Sequence, residues 1–146
     1  MNGYLVDTSV LSALAPGRPE GVRVRDWFFE NGATVFISTM SVAEIAKGIA
    51  KLRRNGANGR TDALSDWLEG LLLGYRDRIL PFCVDAARLA GAMDDAAVAR
   101  GRHPGLADVV IAATAAAHGL VVATANERHF RDLGASCVNP LAPPGP

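Results

Sequence analysis

The sequence predicts an α/β fold, a parallel sheet of short strands with helices on both faces. Two observations predict it. Short apolar runs alternate along the chain with longer segments of helical period. The runs are also continuously apolar, as strands buried on both faces require. In such a sheet functional groups gather at the carboxyl edge of the strands, so that edge is where chemistry is expected.

The elements follow in order. Residues 4–6 form a first strand ending at Asp7, and a helix runs from Thr8 to about Leu14, where Pro16-Gly17 breaks the chain. Val22, Trp27 and Phe28 suggest a second helix ending near Asn31-Gly32. Residues 34–38, rich in β-formers, read as a buried strand. From about Ser41 to Arg54, Val42, Ile45, Ala46 and Ile49 repeat at helical spacing, and the Asn/Gly run at 55–59 stops the helix. Another helix spans roughly 61–75. Residues 79–82 resemble a strand that Pro81 confines to an edge. Helices at about 84–100 and 106–118 flank the breaker His103-Pro104-Gly105, and 120–124 is the clearest strand. A short helix at 127–133 and a strand at 136–138 complete the reading.

At 146 residues and 49% hydrophobic composition, one domain over 1–146 is expected, with 139–146 as a Pro-rich tail. Fifteen basic residues balance fifteen acidic ones, so no global field marks a nucleic-acid binder, although local patches remain open. Cys83 and Cys137, far apart and beside apolar runs, read as reduced thiols. The opening apolar run is too short for a signal peptide, and Val109 to Ala117 is too short to span a bilayer. A soluble cytoplasmic protein with no membrane partner is expected.

Asp7 closes the first strand, and Glu44 lies in the first turn of the helix that leaves the second. Asp108 opens the helix feeding the strand at 120–124, which Thr124 and Asn126 close. All these positions fall at the carboxyl edge. Each has a plain structural explanation. Asp7 is a natural N-cap. Ser41-x-x-Glu44 matches a capping box. Asp108 suits the positive end of a helix dipole. Taken together, however, three converging carboxylates repel one another unless a cation sits between them. Asp108 moreover enters an almost wholly apolar helix, where a carboxylate needs a partner or a metal. A hard divalent ion with oxygen ligands, Mg²⁺ or Mn²⁺, answers both demands.

The opening Leu-Val-Asp7-Thr8-Ser9 resembles the first motif of the PIN domain, and Ser41-Val-Ala-Glu44-Ile its second. Leu106-Ala-Asp108-Val-Val-Ile-Ala-Ala-Thr114-Ala is similar to the third, and Val121-Val-Ala-Thr124-x-Asn126 to the fourth. Order and spacing match across essentially the whole chain, and the pattern resembles that of VapC and FitB toxins, the nuclease halves of type II toxin–antitoxin pairs. The resemblance implies a PIN-like fold with a five-stranded parallel sheet. It also implies Mg²⁺-dependent RNA cleavage leaving 5′-phosphate and 3′-hydroxyl ends, a cognate antitoxin and a homodimer. One departure stands out. Family members often carry a further Asp where Asn126 stands, or three residues later where His129 stands. This sequence has neither, which counts against a second metal ion, although Asn126 still offers a neutral carbonyl oxygen.

On this reading Asp7 and Asp108 hold the metal, and Glu44 binds it directly or through water. Thr8, Ser9 and Thr124 orient carboxylates or water, with ordinary capping as the plain alternative. Lys47, Lys51 and Arg54, on one helix face, form a phosphate track unless they are merely a solvated surface. His118 is expected to cap its helix, and His129 to touch substrate. Trp27, Phe28 and Trp67 read as core or as dimer interface. No dehalogenase-type Asp pair, receiver-type Lys or P-loop is present. The remaining alternative is a degenerate PIN domain that binds RNA or a protein without cutting.

Overall fold

The computed structural model describes residues 2–143. β1 (Tyr4–Val6) leads into α1 (Thr8–Ala13) and α2 (Gly21–Asn31). β2 (Val35–Ser38) is followed by α3 (Thr39–Arg54) and α4 (Asn58–Tyr75), and β3 (Ile79–Leu80) by α5 (Val84–Ala99) and α6 (Leu106–Ala117). β4 (Val121–Ala123), α7 (Glu127–Asp132) and β5 (Cys137–Val138) complete the chain. The five strands form one sheet in the order β3-β2-β1-β4-β5, and every pairing is parallel.

The continuous apolarity of the strands has a direct cause. Successive side chains point to opposite faces, and here both faces are covered. Leu5 and Val122 point into a layer with Ile111, Ala112 and Phe130 of α6 and α7. Their neighbours Val6 and Ala123 point into the opposite layer, with Val10, Leu11, Val24 and Phe28 of α1 and α2. The edge position foreseen for Pro81 is realised, since β3 stops at Leu80 on the rim of the sheet.

Several boundaries differ from the sequence-based expectation. α3 begins at Thr39, two residues before Ser41, because the buried Ser38 caps it by accepting from the Met40 amide at 3.1 Å. α4 begins at Asn58, since only Asn55–Ala57 are needed to turn the chain, with Gly56 at φ 87°. β1 has its expected span, whereas β2, β3, β4 and β5 are each one or two residues shorter than expected, because only the central residues pair.

Phe28 is buried in the core, and Trp27 is partly buried against it. Trp27 packs edge-on against Tyr4 and Phe28 at ring separations of 5.0 and 5.3 Å, and Trp67 packs against the same core layer. His118 ends α6 as expected, its Nδ1 lying 3.0 Å from the Thr114 carbonyl. Cys83 and Cys137 are free thiols, each half-buried. No helix among the described residues is long and apolar enough to cross a membrane. The proposed tail lies within the description only as far as residue 143.

Candidate active site

The register places Val6 between Ile37 and Ala123, so the residue after β1 stands at the centre of the carboxyl edge. That residue is Asp7, only 4% exposed. Its Oδ1 accepts from the Thr8 amide at 2.8 Å, which makes it the N-cap of α1. Its Oδ2 accepts from the Ser9 hydroxyl at 2.8 Å and the Thr124 hydroxyl at 2.7 Å. Those hydroxyls in turn accept from the Ala125 and Asn126 amides at 3.1 and 2.9 Å. Two chains running amide to hydroxyl to carboxylate thus converge on one oxygen, and each polarises the next bond. A carboxylate offers about four lone-pair positions. Asp7 uses three, and the one left is on Oδ1.

Glu44 projects from the second turn of α3 and is tied to α1. The Thr8 hydroxyl lies 2.6 Å from its Oε1 and 3.0 Å from Ser41 Oγ. Having a single proton, Thr8 donates it to the carboxylate, which leaves the fully buried Ser41 to donate to Thr8. The capping-box explanation of Ser41 and Glu44 therefore fails. Both residues lie inside a helix that starts earlier, and both face Thr8 instead of the helix backbone. The hydroxyls of Thr8, Ser9 and Thr124 all hold carboxylates, although Ser9 and Thr124 accept from turn amides as well.

Asp108 stands in the first turn of α6, where Val109 to Ala115 are all buried. Its carboxyl is held above its ordinary 3.8, first by burial and then by the charge of Asp7, against an opposing pull from His129. Asp7 and Asp108 therefore feel each other across the edge. The partner that α6 could not supply comes from α7, where His129 Nδ1 lies 3.2 Å from Asp108 Oδ2. Sequence reasoning left His129 as a substrate contact. The available signal was its place three residues beyond Asn126. Asn126 itself is exposed, and its amide serves Thr124.

A raised carboxylate carries a stability consequence. Below pH 3.8 Asp108 is protonated folded or unfolded and costs nothing. As pH rises through its folded value, ionisation increasingly favours the unfolded chain. Asp108→Asn should therefore raise Tm at pH 7 in chelator, with the gain fading toward about pH 3. Identical melting curves at both pH values would show that the charge is not strained.

The residues do not enclose an ion. Among the described residues no three His, Cys, Asp or Glu side chains are gathered closely enough to hold one. Instead of three converging carboxylates, Asp7 and Asp108 are coupled and Glu44 is held by Thr8. Mg²⁺ keeps several waters and is commonly bound by only one or two carboxylates. The open lone pair of Asp7 and the strained charge of Asp108 fit a hydrated cation of that kind.

Lys47 and Lys51 line a groove of about 450 Å³ between α3 and the start of α6, together with Met40, Glu44, Leu106 and Ala107. Arg54 does not join them. It lines a separate groove with Arg53, Leu68 and Glu69, between α3 and α4. Arg54 lies seven residues beyond Lys47, about 10 Å farther along the helix axis, where α4 and not α6 is the neighbour.

A parallel five-stranded sheet with acidic residues along its carboxyl edge defines the class, and residues 4–135 match the PIN domain family. The chain belongs to that family. It is 35% identical to the VapC ribonuclease Y4jK of Sinorhizobium fredii, over 95% of this chain and 98% of that protein. It is 34% identical to the toxin FitB of Neisseria gonorrhoeae, over 93% and 96% respectively. The crystal structure of FitAcB from the same organism superposes with a TM-score of 0.81 at 34% identity, covering 94% of this chain and 97% of that one.

Proposed function

We propose that this chain is a Mg²⁺-dependent endoribonuclease, able to use Mn²⁺, and the toxin half of a type II toxin–antitoxin pair. The observation that carries the reading is the buried Asp7, with two hydroxyls and an amide holding its carboxylate and the charge of Asp108 facing it. A helix cap has no need of so much support. Its similarity to a VapC ribonuclease and to a toxin supports the RNA substrate and an antitoxin partner.

Asp7, through Oδ1, and Asp108 would hold the cation, and Glu44 would reach it through water. A divalent ion there supplies the positive charge that a phosphodiester needs to be attacked. The remaining work falls to the chain. Ser9 and Thr124 lock Asp7 in orientation, and Thr8 fixes Glu44 by one oxygen, leaving Oε2 without a partner among the described residues. Lys47 and Lys51 draw phosphates along the groove that Glu44 also lines, while Met40 and Leu106 give it an apolar wall.

The test is cleavage of RNA by purified protein with Mg²⁺, with Mn²⁺ and with excess chelator. Cleavage is expected in the first two and none in the third. Undiminished cleavage in chelator overturns the mechanism. Binding of RNA without cleavage in any cation would identify a degenerate PIN domain.

A further inference from the structure

We propose that single-stranded RNA crosses α3 at Gly48, passing from the Lys47–Lys51 groove into a second basic groove bearing Arg18 and Arg60. The inference rests on the ribonuclease reading above and extends it to the path of the substrate strand.

The second groove, of about 170 Å³, is walled by α1, α3 and α4, and Thr8, Glu44 and Trp67 line it with the two arginines. Glu44 and Gly48 are the two residues that line both grooves. Four positions apart, they stack on one face of α3, with Gly48 about 6 Å farther along the axis. Together they form the ridge between the grooves. Gly48, having no side chain, is its low point.

Packing does not require a glycine there. A Cβ at Gly48 would meet no atom within 4 Å, and Gly is disfavoured against Ala inside a helix. Gly70, Gly74 and Gly91 share that open space, but none of them lines either groove. Only at Gly48 does the bare backbone lie where a strand must pass close to it.

The charges fit a polyanion. Lys47 and Lys51 on one side, with Arg18 and Arg60 on the other, are set against a single acidic residue, Glu44. This is a local excess in a chain whose fifteen basic and fifteen acidic residues balance. Among the described residues Lys47, Lys51 and Arg60 have no ion-pair partner, and Arg18 has only an exposed contact with Glu20 at 3.8 Å. Glu44 sits on the ridge itself, so the polymer that crosses is brought to the residues that cut.

The test is binding of a short labelled single-stranded RNA to the full chain in chelator, over a range of salt, beside melting temperatures. Gly48→Leu should raise Tm, because Leu favours a helix over Gly. The same change should weaken RNA binding about tenfold, through overpacking at the crossing. Arg60→Gln and Lys51→Gln should each weaken binding and flatten the logarithmic salt dependence by about 0.7 per lost phosphate contact. If Lys51→Gln weakens binding while Gly48→Leu and Arg60→Gln leave it unchanged, the strand does not cross here and the nuclease reading stands. If Gly48→Leu keeps RNA binding but loses a co-expressed antitoxin, the ridge belongs to a protein segment and the proposal is overturned. If the wild type binds no RNA, both readings fall.

Discussion

Asp7→Asn should lower RNA cleavage by at least about 10²-fold while leaving the fold intact. The two halves of that expectation come from different properties of the carboxylate, its shape and its charge. Oδ1 caps α1 through the Thr8 amide, and Asn caps a helix about as well as Asp. The cap seen in the structure therefore survives the change. What does not survive is the negative charge, together with an Oδ2 able to take both the Ser9 and Thr124 protons while Oδ1 is left for the proposed cation. An amide has one carbonyl oxygen and must turn its NH₂ toward one set of partners. The hydroxyls can rotate to accommodate it, but a cation cannot. Cleavage assays beside near-UV circular dichroism decide the matter. Activity within threefold of wild type in a folded mutant would reduce Asp7 to its capping role.

Phe130→Ala should cost about 3–5 kcal/mol of stability, the usual range for emptying a buried aromatic site. α7 has six residues, too few to be stable alone, and Asn126 gives it no side-chain cap. The fully buried Phe130 ring, among Leu5, Ile111, Val122 and Leu133, is what pins the helix to the sheet. Its loss leaves a cavity and loosens the turn that carries His129. Phe29, 93% exposed, is the matched control, and Phe29→Ala should change stability by less than about 0.5 kcal/mol. Urea unfolding of the two variants gives the comparison. A Phe130→Ala loss below about 1 kcal/mol would mean that α7 is held by other contacts.

Much of this architecture is legible from local pattern. Continuous apolar runs such as Val121–Ala123 announce strands buried on both faces, and Pro81 announces an edge. A charged residue directly after such a run, as Asp7 is after Val6, can only stand at the strand end. Parallel topology then gathers Asp7, Asp108 and Thr124 on one side of the sheet. Reading boundaries was harder at α3, because Ser38 and Ser41 are both plausible caps and only the buried partner of each distinguishes them.

The sequence by itself determined the sheet, the helices that cover it and the edge on which the acidic residues meet. Period and polarity act over a few residues, and those elements depend on nothing longer. Tertiary structure alone decided which groups touch there. Thr8 meets Glu44 across 36 positions, Thr124 meets Asp7 across 117, and His129 meets Asp108 across 21. It also sent Arg54 away from Lys47 and Lys51, and packed Trp27 edge-on against Tyr4. Such contacts arise from how rigid elements pack, where one helical turn redirects a side chain by several ångströms. A side chain's reach is set by its own residue, but its partner is set by every element between them.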